Sequence, residues 1–426
     1  MRAAIYESDI TPPLGGYMWG SLRDRRAEDV YNKLYSKALV IEQDDEYAIL
    51  ISVDVCDYPQ EMTEIVTKRI FEYTGITSER VCISSTHTHH GAPVSDSPEI
   101  NCFGDQCYKD VFFRLIADSA ILAFRRLSES ELLFGKIEVQ GIANCRCAMR
   151  KDGTLATHCK AQDIDHLLGN PDHELPILFI EQGGKKIGAL YAFGCHQDTV
   201  GINPQGYTGD YSSIVADILK EKYGRDFVSI YVPGPSGDIN HINQYEDYDK
   251  RKNFREIGSM LAKGIEKAES NAGYISGKLI IMKEQIQIKK RKYDNEQFKN
   301  LVIEYANAGL RGRLGNLVYY HRADKTEYAD LYVQIIAIGE LAIYVYPGEL
   351  FSQYSHRTKE NSPFKYNMVV ANSNSHGGYI PTPDAFGENS KLLYEAAPSS
   401  YNFLVPEAGE ILYDKIMNMA SEMHKK

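Results

Sequence analysis

Residues 175–194 read LPILFIEQGGKKIGALYAFG, in which two apolar runs flank a short glycine-containing turn. Residues 175–181 and 186–194 have the length and the content of branched apolar residues that are typical of strands, so the pair predicts a β-hairpin. Further along, residues 212–223 show helical spacing of apolar positions, and residues 227–232 form another apolar strand. A hairpin that is followed by a helix and a further strand mixes antiparallel and parallel pairing. We therefore predict an α/β fold with mixed sheets covered by helices.

Strands and helices alternate in the same way along the rest of the chain. Apolar runs predict strands at residues 46–55, 81–85, 132–140, 279–288, 332–338 and 341–346. Apolar stripes at helical spacing predict helices around residues 62–73, 112–127 and 254–265, and a last helix at residues 406–424. No internal repeat, low-complexity linker or change in composition interrupts the chain, so we expect one domain over residues 1–426.

The composition is that of a soluble globular protein, with 43% hydrophobic and 25% charged residues among 426. Lys and Arg total 47 against 58 Asp and Glu, which gives a net charge of −11. A protein of this charge repels phosphate backbones, so we expect no nucleic-acid partner. The apolar runs are too short to cross a bilayer, so we expect no integral membrane association.

The chain contains eight cysteines but no zinc-finger spacing. The N-terminus lacks an apolar export segment, which predicts a cytoplasmic protein. Because the cytosol keeps thiols reduced, we expect free cysteines rather than disulfides. We expect the partner to be a small-molecule substrate, and the sequence leaves homo-oligomer formation open.

The candidate chemistry is concentrated in loops that follow apolar strands. The first loop, residues 84–91, reads SSTHTHHG and holds three of the twelve histidines at His87, His89 and His90. Residues two apart on an extended segment share one face, so His87 and His89 can reach one point. Imidazole is the commonest metal ligand and an acid or base near neutral pH. The cluster therefore favours a metal or catalytic site over hydrogen bonding in a polar turn.

Three further loops carry polar residues of similar kinds, and each also has an ordinary structural interpretation. His196 follows the strand of residues 186–194 and is either a ligand or a satisfied core histidine, while Asp210 nearby suits a helix N-cap. Residues 233–241, PGPSGDINH, form a tight glycine loop that either approaches a ligand or simply turns. Glu349 lies near the start of a predicted helix, where the helix dipole favours a carboxylate, and is alternatively a metal ligand.

Together these loops offer two or three imidazoles and a carboxylate at separate strand ends. A catalytic zinc site needs three or four such ligands, with one position left open for water. The combination predicts a catalytic metal site.

The order of these motifs resembles the neutral ceramidase family, the neutral/alkaline non-lysosomal ceramidases and their bacterial relatives. The resemblance covers essentially the whole chain, and its most specific elements are THTH at residues 86–89 and GYIPTP at residues 378–383. The weaker matched elements are DITPPLG at residues 9–15, GCH at 194–196, GDY at 209–211, GDI at 237–239, PGE at 347–349 and YEA at 394–396. The resemblance implies an α/β fold like the ceramidase catalytic domain, without that family's C-terminal β-sandwich.

The resemblance implies one zinc ion per chain, held by four ligands: His87, His196, Glu349 and Tyr379. It places His89 beside the metal, in contact with the substrate, and Tyr394 where its hydroxyl hydrogen-bonds the developing oxyanion. The implied reaction is amide hydrolysis by zinc-activated water, with His89 transferring the proton. His, Glu and Tyr ligands suit zinc best and are also compatible with manganese or iron.

One element departs from the family pattern. The family's Gly-Asp-x-Ser-Pro reads GDINH at residues 237–241, so Asn240 stands at the serine position. An amide can orient water or substrate but cannot act as a hydroxyl nucleophile, and we place Asn240 in the catalytic group on that basis. We expect a zinc-dependent hydrolase acting on an amide (N-acyl) or related carbonyl bond of a small soluble substrate. A zinc-dependent lyase, isomerase or lactonase acting on a sugar-derived polar substrate is the alternative, and a non-catalytic ligand-binding relative comes third.

Three arginines, Arg23, Arg25 and Arg146, lie in polar stretches near the matched elements. A guanidinium can hold a substrate carboxylate or phosphate through two hydrogen bonds. We expect Arg23, Arg146 and His90 to contact the substrate, and the ordinary interpretation of each arginine is a structural ion pair.

Overall fold

The computed structural model describes residues 1–21, 24–57, 59–96, 104–201, 205–307, 311–323, 326–390 and 393–425. The helices in these ranges are α1 (Gln60–Thr74), α2 (Gln106–Phe124), α3 (Tyr211–Tyr223), α4 (Phe254–Glu269), α5 (Asn295–Asn307), α6 (Arg311–Ala323), α7 (Ser352–Asn361) and α8 (Ala408–Met423). The strands are β1 (Arg2–Asp9), β2 (Asp29–Val30), β3 (Tyr35–Gln43), β4 (Glu46–Val53), β5 (Val81–Ser85), β6 (Ser128–Glu129), β7 (Glu131–Glu138), β8 (Asn144–Cys145), β9 (Cys147–Arg150), β10 (Leu155–Thr157), β11 (Ile164–Leu167), β12 (Glu174–Gln182), β13 (Lys185–Phe193), β14 (Gly206–Tyr207), β15 (Val228–Pro233), β16 (Ile239–Asn240), β17 (Gly273–Ile275), β18 (Leu279–Lys289), β19 (Tyr328–Ile338), β20 (Leu341–Val345), β21 (Glu349–Leu350), β22 (Tyr366–Val370) and β23 (Tyr379–Ile380).

The predicted hairpin is β12 and β13, and its turn shows why glycine stands there. Gln182 pairs with Lys185 across the turn, which leaves Gly183 and Gly184 as the two central residues. Their φ angles are 55° and 76°. A two-residue turn with positive φ at both positions matches the right-handed twist of the strands, and glycine adopts it without steric cost.

The three large sheets repeat one plan of connection. Their strand orders are β5-β4-β3-β1-β6, β15-β13-β12-β7-β17 and β18-β19-β20-β22. In each sheet an antiparallel hairpin is followed by a helix and by a strand that lies parallel to the second hairpin strand, as in β3-β4-α1-β5, β12-β13-α3-β15 and β19-β20-α7-β22. The prediction of mixed sheets is confirmed. In all three sheets, a helical connection adds the parallel strand to the antiparallel hairpin.

One face of every large sheet points into a shared core. Leu178 and Ile180 of β12 belong to a buried cluster that also contains Leu50 of the first sheet and Ile343 of the third. Their neighbour Phe179 alternates to the opposite face and packs with the helices. Burial of each such side chain contributes about 1.5–3 kcal/mol to folding, so this core fixes the three sheets against one another.

Helices cover the outer faces of the sheets. Helices α1 and α2 pack on the first sheet, α3 and α4 on the second, and α7 and α8 on the third. None of the helices in the described residues combines the length and the apolar character that a membrane crossing requires. The chain then passes from the carboxyl ends of β5, β13, β15, β20 and β22 into loops that meet one another, and the candidate site lies among those loops.

The shared core is expected to be sensitive to the loss of a single large side chain. Leu178 is fully buried in it, so Leu178→Ala should lower the free energy of unfolding by about 2–5 kcal/mol. The midpoint of urea unfolding, followed by circular dichroism, measures the change. Val111→Ala on the surface of α2, where the valine is 53% exposed, is the control and should shift the midpoint little. Equal shifts in the two variants would contradict this description of the core.

Candidate active site

The first histidine loop leaves β5 in a strained conformation. His87 has a φ of 67°, which is uncommon for a residue other than glycine. Its backbone N–H donates to the Val55 carbonyl at 2.9 Å, and its Nδ1 donates to the Cys56 carbonyl at 2.7 Å. These two bonds hold the strained residue and orient its ring. Such strain is concentrated at functional sites in proteins.

His196 follows β13 and is oriented in the same way. Its Nδ1 lies 3.0 Å from the Ser236 carbonyl, to which it donates. The ring is 1% exposed, but it is not a core histidine with both nitrogens satisfied, because its Nε2 faces the Nε2 of His87 at 3.1 Å. The ligand interpretation of His196 is therefore the one that its contacts favour.

Glu349 and Tyr379 are neighbours in a small parallel sheet. Glu349 in β21 pairs with Tyr379 in β23. The Oε2 atom of Glu349 lies 3.2 Å from the Nε2 of His87 and 3.3 Å from that of His196, and the Tyr379 hydroxyl lies 3.3 Å from the latter atom. The predicted helix is present but begins at Ser352, three residues after Glu349, because Glu349 and Leu350 first pair with β23.

This arrangement fits a cation. A neutral imidazole carries one ring proton, and in His87 and His196 that proton is on Nδ1, so both Nε2 atoms present lone pairs. The Oε2 of Glu349 is buried and has no hydrogen-bond partner among the described residues. Lone pairs 3.1–3.3 Å apart repel unless a positive charge lies between them. Zinc bonds of 2.0–2.1 Å in a tetrahedron would separate ligand atoms by roughly 3.3 Å, close to the distances observed.

The charges of the site agree with that fit. Burial alone would raise the pKa of the Glu349 carboxyl, but His87 and His196 hold it well below its ordinary value. Burial would lower the pKa of His87, yet Cys56 and Glu349 raise it well above its ordinary value. The carboxylate therefore attracts a positive charge to this point, either a proton on His87 or a metal ion.

His89 is the third imidazole at this point. Its Nε2 lies 3.4 Å from the Nε2 of His87, and its ring is half-buried. Burial and the neighbouring His87 hold the pKa of His89 well below its ordinary value, so the ring is neutral. Arg25 donates to the His89 carbonyl at 2.6 Å and to the Trp19 carbonyl at 3.1 Å. Its NH2 group thus anchors the His89 backbone.

Arg146 lies against Tyr379 and pairs with Glu395. Its NH2 group donates to the Tyr379 hydroxyl at 3.0 Å and to the Gly237 carbonyl at 2.8 Å, and its Nε lies 2.7 Å from Glu395. Arg146 is 5% exposed and Glu395 is fully buried. The ordinary interpretation of Arg146, a structural ion pair, is what these contacts show, and a contact of Arg146 with substrate stays a prediction.

Of the other predicted site residues, Tyr394 lies beside the site and His90 faces backbone carbonyls. Tyr394 is half-buried with its ring 5.6 Å from that of Tyr379, beside the site. His90 has both ring nitrogens within 3.0 Å of the Gly206 and Gly201 carbonyls, so it has no nitrogen left for a substrate. Arg23 lies outside the described residues.

The side chain of Asn240 binds the carboxylate of Asp198. Its Nδ2 donates to both carboxylate oxygens of Asp198, at 3.1 Å each, and its Oδ1 accepts from the Ile242 N–H at 3.1 Å. The side chain of Asn240 therefore holds Asp198, and its catalytic role stays a prediction.

The glycine loop and the helix cap have structural roles. A side chain at Gly237 would come within 2.4 Å of the Glu349 carbonyl oxygen, so glycine allows the loop to pack directly on the Glu349 backbone. Asp238 accepts from the Ser352 N–H at 2.7 Å and anchors the start of α7. The expected N-cap is also present, because Asp210 accepts from the Tyr211 N–H at the start of α3.

Two residues that sequence reasoning passed over are also close to the site. Asp198 influences the pKa of His89, and His158 lies within electrostatic reach of Arg146 and His196. A signal for Asp198 was present, because it follows His196 by two residues, the spacing that drew attention to His87 and His89. Nothing in the sequence around His158 distinguishes it.

Comparison with solved structures identifies the fold of the chain. A scan against family models found no match, and a search of curated proteins also found none. Among solved structures, the chain is similar to the neutral ceramidase of Pseudomonas aeruginosa, with a TM-score of 0.74 and 15% identity over 100% of this chain and 74% of that one. It is similar to a ceramidase complexed with C2, with a TM-score of 0.75 and 17% identity over 100% of this chain and 75% of that one. The resemblance seen in the sequence is confirmed, and the chain has the mixed α/β fold of the neutral ceramidases.

Proposed function

We propose that the protein is a zinc-dependent hydrolase that cleaves an amide (N-acyl) or related carbonyl bond of a small polar substrate. The observation that carries the proposal is the convergence of the Nε2 atoms of His87 and His196 with the Glu349 carboxylate, while both Nδ1 atoms donate to carbonyls. The fold shared with two ceramidases, enzymes whose name denotes amide cleavage, supports the reaction class.

The proposed metal ligands are His87, His196, Glu349 and Tyr379. Zinc held there would act as a Lewis acid toward a substrate carbonyl and would lower the pKa of a water molecule to about 7. The ligands themselves are oriented by the protein, since the Cys56 and Ser236 carbonyls fix the two imidazole rings. Such outer contacts set the tautomer and the angle of a ligating histidine.

His89 is the proposed proton carrier. A neutral imidazole can accept the proton of a water molecule whose oxygen bonds to the carbonyl carbon, and it can then donate that proton to the leaving nitrogen as the C–N bond breaks. The lowered pKa of His89 keeps the ring in the accepting form. Arg25 supports the role by fixing the His89 carbonyl.

Two tyrosines have different proposed roles. Burial and Tyr401 raise the pKa of Tyr394 well above its ordinary value, so its hydroxyl keeps its proton and can donate to a developing oxyanion. One such donor is worth about 3–4 kcal/mol in transition states of this kind. Tyr379 is supported as a ligand by its position: its hydroxyl lies 3.3 Å from the Nε2 of His196 and accepts a hydrogen bond from Arg146, which opposes the rise in the Tyr379 pKa that burial and Glu349 cause.

The polar character of the surroundings supports a small polar substrate. The accessible side chains near the centre include Asp198, which is 28% exposed, and the ion pair of His376 with Asp57, in which the side chains are 36% and 38% exposed. A lipid chain would gain little from contact with such groups. We therefore favour a polar N-acyl compound over a membrane lipid.

Metal content is the first test. The purified protein is expected to hold about one zinc per chain by elemental analysis, and a chelator should abolish turnover in a screen of N-acyl, ester and lactone substrates. Re-addition of zinc should restore it. A protein that neither contains zinc nor takes it up would contradict the proposal, and a ligand-binding role would then be favoured.

Substitution of single histidines separates binding from chemistry. His87→Ala and His196→Ala should each reduce bound zinc to less than about a tenth of an equivalent, because three ligands cannot hold it as four do. His89→Ala should keep the zinc and lower kcat about 10²- to 10⁴-fold. His166→Ala, at an exposed histidine in β11, is the control for both zinc content and kcat. Full zinc content in His87→Ala would show that the assigned site is wrong.

The buried ion pair behind Tyr379 should matter to stability as well. Arg146→Met would leave the Glu395 carboxylate buried without its partner, and this should cost about 3–5 kcal/mol in the free energy of unfolding. Lys365→Met breaks the exposed pair with Glu340 and should cost less than about 1 kcal/mol. Thermal or urea unfolding of the zinc-free proteins gives the comparison, and equal small losses would refute the role given to Arg146.

A further inference from the structure

The backbone of Tyr394 is held on both sides by side chains from other parts of the chain. Its N–H donates to the Thr157 hydroxyl in β10 at 2.9 Å, and its carbonyl accepts from the Nδ2 of Asn402 at 2.5 Å. Both backbone polar groups of Tyr394 are therefore occupied. The centroid of its ring lies 5.6 Å from that of Tyr379 and 5.1 Å from that of Tyr401, so the ring is packed as well.

Asn402 closes the segment that carries this tyrosine. Residues 394–402, which we call the Tyr394 loop, lie outside every helix and strand. The Asn402 side chain is 2% exposed, and its Nδ2 also donates to the Ala397 carbonyl at 2.9 Å. Because both of its partners are carbonyls, the amide nitrogen faces them and uses its two N–H donors there. A single buried side chain thus ties together the start, the middle and the end of the loop.

Arg291 supports the same loop from the end of β18. Its NH1 group donates to the Ala396 carbonyl at 2.9 Å, and its NH2 group donates to the Asn402 carbonyl. The carbonyl of Arg291 in turn accepts from the hydroxyl of Tyr320 in α6 at 2.6 Å. The position of Asn402 is therefore fixed by contacts that come from outside the loop.

We propose that Asn402 is a positioning residue that directs the Tyr394 hydroxyl toward the developing oxyanion. The proposal rests on the proposed function and adds to it a residue that acts through Tyr394. A hydrogen bond weakens steeply when its donor and acceptor are misaligned, so an oxyanion donor has its full effect only when it is held in place before the reaction. A displacement of about 1 Å can cost about 10²-fold in rate. The contacts with Thr157 and Asn402 provide this order.

A double-mutant cycle separates positioning from general support of the fold, with kcat measured on the most active substrate of the screen. Tyr394→Phe removes the hydroxyl and should lower kcat about 10²- to 10³-fold. Asn402→Ala should lower kcat about 10- to 100-fold and change KM less than about threefold, because the hydroxyl is displaced. In the Tyr394→Phe background, Asn402→Ala should change kcat less than about threefold, since no hydroxyl is left to position. Independent losses in the two variants would overturn the proposal.

Two further variants control for loss of stability. Asn402→Ser keeps a shorter donor in the loop, so its kcat should lie between those of the natural protein and Asn402→Ala. Asn367→Ala is the matched control, because Asn367 in β22 also donates its amide to a backbone carbonyl, that of Phe364 at 3.2 Å. It should leave kcat unchanged. A loss in Asn367→Ala equal to that in Asn402→Ala would contradict the role of Asn402.

A fluorine label measures the order of the ring without any substrate. 3-Fluorotyrosine in place of Tyr394 alone reports the arrangements of this ring in the fluorine NMR spectrum of the purified protein. Asn402→Ala should broaden or multiply the signals of the label, because the loop then exchanges between arrangements. Asn367→Ala should leave the signals unchanged. Signals that Asn402→Ala does not alter would overturn the proposal, even where kcat has fallen.

The two proposals can fail separately. Absence of both zinc and turnover in the natural protein rejects the hydrolase, whatever the fluorine signals show. Zinc and turnover in the natural protein, with a loss of kcat in Asn402→Ala that persists in the Tyr394→Phe background, rejects the positioning role alone.

Discussion

The site depends on an electrostatic constraint: three electron-rich atoms from three parts of the chain are held within about a hydrogen-bond distance of one another. Two imidazole lone pairs and a carboxylate oxygen repel at 3.1–3.3 Å, so the surrounding protein must hold them there until a cation neutralises the repulsion. Much of the neighbouring structure serves that purpose. Carbonyls fix both rings, the Gly237 loop packs on the Glu349 backbone, and Arg146 with Glu395 stands behind Tyr379.

The shared core of the three sheets supplies the rigidity. Each sheet contributes a hairpin, a covering helix and a parallel strand, and the loops at the carboxyl ends of these strands carry His87, His196 and Glu349. Because the inner faces pack into one cluster, a shift of any sheet would move a ligand relative to the other two. The position of the site at the junction of the three sheets follows from this repeated plan.

The sequence revealed the hairpin, the helices with clear apolar stripes and the four loops that carry the polar residues, because periodicity and turn composition are local properties. It did not reveal the threefold plan, since the repeated units share connectivity but no residue pattern. Helices α5 and α6 were also missed, because few of their described residues are buried. Among the predicted site residues, Arg146 and Asn240 have the partners Glu395 and Asp198, which lie 249 and 42 positions away, and only the fold brings them together.

The repeated plan also bears on how the chain folds. His87 and His196 are 109 positions apart in sequence, and His196 and Tyr379 are 183 apart. Closing such long loops is entropically costly and slow, whereas each hairpin with its helix and parallel strand is built from neighbours in sequence. The three units can therefore gain structure early and separately, and the four ligands meet only when all of them have docked. On this view the last step of folding completes the ligand set, because His87, His196 and Glu349 belong to three different units.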